Sequence, residues 1–343
     1  MATQKMAAKM KIDEESKILI INTAFLGDIA LTSLLTQRIK NEFPNSNISI
    51  LTTPVGGKVL KPISSIDNLF ILDKKNSHKS LKDTIEYSKE LSNYHFDILI
   101  SLHRSFRTSQ IVKYINSNIK LGFNNSSNKG VYTSLNKYKT HVHEAERYQS
   151  FLFDDFIVPN IELDIKPDEK NYLDNLLIQS NYDNKKKTIA LAPGSVWNTK
   201  KWGNDKFLEL ARIFSSNYNV IFIGGESDKF DLHPEAIDMI GKTTFEQTYC
   251  LLQRSDLLIT NDSAPTHFAT ITNTPTLTIF GATHPMFGFS PLAKESSVIQ
   301  NDYLKCRPCR IHGENTCPLG THECMTSISP DSVFKKAEEI LLK

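Results

Sequence analysis

The stretch DLLITNDSAPTHFATITNTPTLTIFG, Asp256 to Gly281, contains a complete strand, helix and strand. The apolar run DLLIT stops abruptly at Asn261, Asp262 and Ser263. A helical segment, APTHFATIT, follows, and a second apolar run, TLTIFG, closes the unit. Strands that are apolar along their whole length and bracket a helix indicate a parallel sheet covered on both faces. The junction also carries chemistry. Asp262 or Ser263 is a natural N-cap, and Pro265 is tolerated in the first turn, where amides lack intrahelical partners. Those amides suit an anion. A capping motif explains Asp262, Ser263 and Pro265, but it does not explain why His267 falls in the same turn.

Working outward, the rhythm repeats on both sides. TIALAPGS and NVIFIGG read as strands, and DKFLELARIFSSN and FEQTYCLLQRS as helices. Near the N-terminus KILIINTA is a strand, followed by LGDIALTSLLTQRIKNEF with Ile29, Leu31, Leu34, Leu35 and Ile39 close to helical spacing. NISILTT, NLFILD, FDILISL and IKLGF are further strands, with helices over SLKDTIEYSKELSNY and SQIVKYINS. The polar segment VPNIELDIKPDEKNYLDNLLIQSNYDNKKK breaks the pattern. It reads as a crossover with a helix around Asp168 to Ser180, its Lys run being a solvated linker face rather than a binding patch.

The chain therefore divides into an N-terminal domain at 12–165, a linker and helix at 166–186, and a C-terminal domain at 187–343. Two doubly wound α/β domains facing each other across a cleft are the simplest account, and 343 residues accommodate them. Ligands of such sheets bind beyond the carboxyl ends of the strands, so the loops there carry the interest.

Composition excludes several classes. Hydrophobic residues at 40% and charged residues at 23% describe an ordinary globular protein, and a net charge of +2 gives no sign of a nucleic-acid binder. The start, MATQKMAAKMKIDEES, has no apolar segment after its basic residues and does not read as a secretory signal. No run approaches the roughly 18 apolar residues that span a bilayer. The default location is the cytoplasm, compatible with peripheral contact at the inner membrane.

Four strand-end loops could carry chemistry. In TAFLGDIALT, Gly27 allows a tight turn, and Asp28 falls at or near a helix N-terminus, which stabilises a carboxylate. It is either a simple cap or an acid able to act as a general base, and the two readings are compatible. In LAPGSVWNTKKWGNDKF, Ser195 supplies a hydroxyl, and Lys200 and Lys201 precede Trp202; a cation there suits phosphate, although paired loop lysines are commonly solvent-facing. In NVIFIGGESDK, Gly224 and Gly225 allow close approach and Glu226 can accept from ribose hydroxyls, without the full spacing of a dinucleotide fingerprint. The fourth is the opening stretch. Together the C-terminal loops form a nucleoside-diphosphate cradle, and the N-terminal half offers one carboxylate.

The ordered set LGDIALT, APGS with KKW, IGGE, TNDSAPTHFAT, TPTLTIFGATHP and a Cys-rich tail ending in SISPDSV resembles glycosyltransferase family 9, the ADP-heptose lipopolysaccharide heptosyltransferases, most closely the heptosyltransferase II type. The resemblance runs from about residue 17 to 340. It implies the GT-B fold, with two Rossmann-like domains, and inverting transfer of L-glycero-D-manno-heptose from ADP-heptose to the lipopolysaccharide inner core, with no cofactor required for catalysis. By motif, Asp28 matches the acid that takes the acceptor proton. Lys200 matches the phosphate-binding lysine, with Lys201 close enough to compete for the assignment, and Glu226 matches the ribose ligand. Asp262, Ser263, Ala264 and His267 match the segment holding diphosphate and sugar. Thr23, Gly27, Ser195 and Gly225 complete the donor-binding set. The chain departs from the family at Ala264, where Gly is usual; a methyl there is tolerated if the residue is helical but narrows the approach of the phosphate.

For the acceptor, SLHRSFRTS offers His103, Arg104 and Arg107, and HVHEAERY offers His141, His143 and Arg147; these are either ligands for carboxylates and phosphates or ordinary surface and interdomain charges. In the tail, Cys306, Cys309, Cys317 and Cys324 lie within 19 positions. They could hold a structural zinc or iron, or remain reduced thiols, with disulfides a further alternative. Two alternative functions stay open: a protein heptosyltransferase acting on an autotransporter with a cysteine-bound metal, and a nucleotide-sugar-binding protein without turnover.

Overall fold

The computed structural model describes Ile12 and residues 15–343, so the N-terminal segment considered as a leader lies almost wholly outside the described residues. The chain divides into two units that meet between Asp164 and Ile165.

The first unit is built on β1 (Lys17–Ile21), β2 (Asn47–Thr52), β3 (Asn68–Ile71), β4 (Phe96–Ser101), β5 (Ser117–Phe123) and β6 (Ser134–Asn136). They form one sheet in the order β3-β2-β1-β4-β5-β6, every pairing parallel. The helices are α1 (Leu26–Glu42), α2 (Pro54–Leu60), α3 (Leu81–Leu91), α4 (Phe106–Tyr114) and α5 (Glu144–Gln149). β1 is buried from Ile18 onward because it sits mid-sheet with both faces covered, which is why it reads as a continuous apolar run. Leu19, Ile21, Leu51, Leu99, Ile111 and Val112 make a core on one side, while Ile29, Leu34 and Ile39 are buried along α1.

The second unit carries β7 (Thr188–Ala192), β8 (Asn219–Phe222), β9 (Ile237–Asp238), β10 (Leu257–Asn261), β11 (Thr276–Phe280) and β12 (Ser296–Gln300), ordered β12-β11-β10-β7-β8-β9 and again all parallel. Counted from its own first strand, this is the same order as in the first unit. The architecture repeats although no sequence repeat is evident. Its helices are α6 (Pro167–Gln179), α7 (Asn204–Ser215), α8 (Phe245–Gln253), α9 (Ala264–Thr272), α10 (Glu323–Thr326) and α11 (Pro330–Leu341). α11, which the periodicity reading passed over, belongs to the core: Val333, Ala337 and Ile340 pack with Phe207, Leu210 and Phe214. Ser329 caps it from the Ser332 amide, with Pro330 at the first turn.

In both sheets the strand order reverses once, between β1 and β4 and between β7 and β10. In sheets of this kind a ligand binds at such a reversal, beyond the carboxyl ends of the strands. No helix among the described residues is long and apolar enough to cross a membrane.

One glycine marks a close approach within a strand. A methyl group at Gly122 in β5 would lie 2.4 Å from a ring carbon of the buried Tyr132. Gly122→Ala is therefore expected to lower stability by about 1–3 kcal/mol, read from urea denaturation; an unchanged midpoint would mean that the ring moves aside freely.

Candidate functional site

At the reversal in the first unit, the turn after β1 is stitched to α1 by Asn22. This fully buried side chain donates to Asp28 O at 3.1 Å and Thr32 Oγ1 at 2.9 Å, and accepts from the Ala24 amide at 3.2 Å. Asp28 thus falls in the first turn of α1, half-buried, where the N-cap Phe25 offers no side-chain cap. A carboxylate there is stabilised by the amides and dipole of the helix end. Tyr148, fully buried and hydrogen-bonded to Asn22, has its hydroxyl pushed well above the ordinary range by burial, then by the charges of Glu144 and Asp28. Burial, Glu144 and Asp28 also raise Tyr138, against the opposing pull of Arg147 and Arg104.

In the loop just after the neighbouring strand β4, His103 Nδ1 lies 3.0 Å from Thr23 Oγ1 and 3.1 Å from Thr108 Oγ1. Burial first, then the cations Lys74 and Arg104, lower this imidazole to about 4, so it is neutral near pH 7. Lys74 Nζ donates to Thr23 O at 3.3 Å, which joins it to the same group. Thr23 therefore sits with His103 and Lys74 in the first unit, whereas Ser195, Lys200 and Glu226, grouped with it by the motif match, belong to the second.

The other acceptor candidates separate. Arg104 lies over the Tyr138 ring, 4.2 Å from its centroid. Arg107 donates to the carbonyls of His78 and Lys79 at 3.3 and 2.9 Å, fastening a neighbouring loop. Arg147 is buried, pairs with Glu144 and donates to Lys139 O and Thr140 O, while His143 Nδ1 accepts from the Ala145 amide at the head of α5. These two brace a short helix, and His141 is exposed.

At the reversal in the second unit, Asn261 plays the joining part. Its Nδ2 donates to Pro193 O at 2.7 Å and its Oδ1 accepts from the Trp202 amide at 3.1 Å, so the end of β10 holds both ends of the loop after β7. Trp202 is locked at its far side by a bond from Nε1 to Ile328 O. Within that loop Lys200 Nζ lies 2.7 Å from Asp262 Oδ2, and Thr283 Oγ1 donates to the same oxygen at 2.6 Å. Asp262 is almost wholly buried, so its carboxylate orients the lysine. Lys201, next along the chain, shares neither contact.

Ser263 is the N-cap of α9, but its hydroxyl turns back to Asn261 O at 3.3 Å and does not cap the helix. The expected Asp or Ser side-chain cap is therefore absent, and the head of α9 is left to other partners. Ala264 is the first helical residue, so its methyl lies in a conformation that any L residue adopts. His267 is buried one turn on and meets Phe289 edge-on at 6.1 Å. Beyond β8, Glu226 is exposed and pairs with Lys229 at 2.5 Å. Asp228 accepts from the Gly225 amide at 2.9 Å, and its carboxylate packs so tightly on Gly194 that an added methyl would meet it at 2.5 Å. Ser195, half-buried, follows that contact.

The four tail cysteines lie near enough to act on one another's thiols. Cys309 Sγ donates to Cys306 O at 3.3 Å, and the Cys317 thiol is lowered chiefly by the His322 amide and its neighbours. Cys324 is pushed up to about 11, mainly by burial. Among the described residues no group of three or more His, Cys, Asp or Glu side chains is set to hold a metal.

Several residues that matter here were missed in the sequence: Asn22, Lys74, Tyr148, Asp228 and Thr283. Asn22 and Thr283 each stand just past an apolar run, a signal that could have found them; Lys74 carried none.

Two doubly wound sheets in succession, each with polar loops at its reversal, define a two-domain transferase of the GT-B type. The chain belongs to glycosyltransferase family 9 (heptosyltransferase), whose model matches residues 85–319. It is 27% identical to lipooligosaccharide heptosyltransferase 2 of Campylobacter jejuni over 337 residues, 95% of this chain and 98% of that protein. It is 20% identical to lipopolysaccharide heptosyltransferase 2 of Escherichia coli K12 over 357 residues, covering 95% and 99%. Among solved structures, the family 9 glycosyl transferase of Veillonella parvula superposes with a TM-score of 0.82 at 24% identity, covering 97% of this chain and 99% of that one. E. coli ADP-heptose lps heptosyltransferase II gives 0.78 at 18% identity, covering 95% and 98%. Both likenesses establish the fold.

The lowered His103 makes a pH prediction. The native imidazole stays neutral down to about 4 while the unfolded one protonates near 6.5. Its contribution to stability is thus intact above 6.5 and is lost as pH falls toward 4. His103→Gln is expected to flatten the stability–pH curve in that window, by at most about 1.4 kcal/mol per pH unit. Denaturation midpoints between pH 4 and 7 check it, and an unchanged slope would place the protonation elsewhere.

Proposed function

We propose that the protein transfers L-glycero-D-manno-heptose from ADP-heptose to an inner-core sugar of lipopolysaccharide, inverting the anomeric centre. The observation that carries this reading is the second unit's loop assembly, in which a pre-oriented lysine stands at the same strand reversal as a helix head without a side-chain cap. Such an arrangement suits a diphosphate leaving group. Glu226, exposed beyond β8, is available to ribose hydroxyls. The names of the relatives support the donor and acceptor classes: the E. coli structure is an ADP-heptose enzyme, and the curated relatives are heptosyltransferases of lipopolysaccharide and lipooligosaccharide.

In this mechanism the Asp28 carboxylate, favoured in its ionised form by the head of α1, removes the proton from the acceptor hydroxyl. The oxygen forms a bond to the anomeric carbon as the bond to the ADP phosphate oxygen breaks on the opposite face. Lys200 and the amides at the start of α9 take up the charge that develops on ADP. The first unit's basic residues Lys74 and Arg104, with neutral His103 beside them, would meet the acceptor's anionic groups. Peripheral contact with the inner membrane goes with this reading, because the acceptor is a lipid.

Asp28→Asn is expected to lower kcat by about 10²–10⁴ with ADP affinity kept. Mass measurement of the product made from ADP-heptose and a defined inner-core acceptor reads the activity. Near-normal turnover of the variant would remove Asp28 from the chemistry. Lys200→Ala should instead weaken ADP binding, about tenfold or more, and unchanged affinity would shift the phosphate contact to Lys201.

A further inference from the structure

The Cys-rich segment after β12 is folded against the loops that carry Lys200. Arg307, with only 3% of its side chain exposed, bridges the end of β12 and the turn after β11. Its Nε donates to Gly281 O at 2.7 Å and Nη2 to Thr283 O at 2.9 Å; Nη2 also reaches Gln300 Oε1 at 2.9 Å, and Nη1 reaches Asn301 O at 2.8 Å. The two carbonyls flank Ala282, whose own carbonyl accepts from the Cys309 amide at 2.8 Å. The turn after β11 is thereby held at three successive residues. Thr283 is its last member, and its hydroxyl donates to the carboxylate that orients Lys200.

A second set of bonds grips the residue before the lysine. The Thr199 amide and hydroxyl both donate to Glu314 O, at 3.1 and 2.9 Å. The Glu314 amide approaches the Thr199 hydroxyl at 2.8 Å, and His322 Nε2 lies 3.1 Å from Thr199 O. A methyl group at Gly313 would lie 3.2 Å from the Lys200 side chain, so this segment also passes directly alongside the lysine.

We infer that residues 307–322 form a strut that positions Lys200, with Arg307 and Thr283 acting as positioning residues for the phosphate-binding ammonium. This rests on the reading of Lys200 as a ligand for the donor diphosphate. Arg307 touches no substrate in this account. Its guanidinium fixes the turn, the turn fixes the Thr283 hydroxyl, and that hydroxyl fixes Asp262 with the lysine on it. A planar fork meeting carbonyls in several directions suits arginine and not lysine, whose ammonium is a single point.

The test uses the full chain with ADP and measures Kd by titration calorimetry. The wild-type chain binds. Thr283→Val, nearly equal in shape, and Arg307→Lys should each weaken binding about tenfold, the loss expected for one bond to a charged group. Thr283→Ser, which keeps the hydroxyl, should restore affinity to within about twofold. In a chain already carrying Lys200→Ala, Thr283→Val should add less than about twofold, because the positioned group is gone. A general structural defect would instead cost the same with or without Lys200, and that result overturns the inference. So does wild-type affinity in Thr283→Val, which decides the matter even if Arg307→Lys fails to fold. Both outcomes leave the diphosphate reading standing. Absence of ADP binding by the wild-type chain overturns that reading, and this inference with it.

Discussion

A buried asparagine at the reversal of each sheet is the interaction on which the functional loops depend. Asn22 joins the turn after β1 to the first turn of α1. Asn261 joins the end of β10 to both ends of the loop after β7. A buried amide of this kind is stable only when its donors and acceptor are matched, and losing one partner leaves the other unpaired at a cost of about 1–3 kcal/mol. The loops inherit that definiteness. The backbone around Asp28 and around Lys200 owes its placement to these amides, and the Lys200 ammonium is then oriented by Asp262.

The two units use their helix ends differently. α1 carries its acid within its own first turn, so the field of the helix is met internally. The first turn of α9 carries no acid, and the nearby carboxylate, Asp262, is turned to Lys200 and Thr283. One end is thus matched to a resident charge, while the other carries no side-chain cap.

The fold was legible wherever burial on both faces left an unbroken apolar run: β1, β2, β4, β7, β8, β10 and β11. It was illegible at β6, β9 and β12, which are short or half-buried edge strands, and at α2, where paired glycines weaken any helical signal. α11 does carry a helical signal, in Val333, Ala337 and Ile340 behind the Ser329 cap. Of the site, residues standing directly after an apolar run could be found, since strand ends in such sheets are privileged positions. What sequence does not show is which polar group is already engaged. Arg147 and Arg104 look alike in the chain and both lie over the Tyr138 ring, yet Arg147 is buried with its guanidinium spent on Glu144 and the carbonyls of Lys139 and Thr140, while Arg104 is only half-buried. The cysteine spacing invited a metal; the fold instead makes that segment's arginine the organising group.

The neutral His103 gives the basic group at β1 and β4 a particular electrical character. Its imidazole, lowered to about 4 by burial and then by the cations Lys74 and Arg104, adds no charge of its own near pH 7, although an ordinary imidazole titrates close to neutrality. Titration of this imidazole therefore does not vary the attraction that the surface exerts on an anion around neutrality. Dissolved salt, which screens fixed charges over roughly a nanometre, is left as the variable that tunes it.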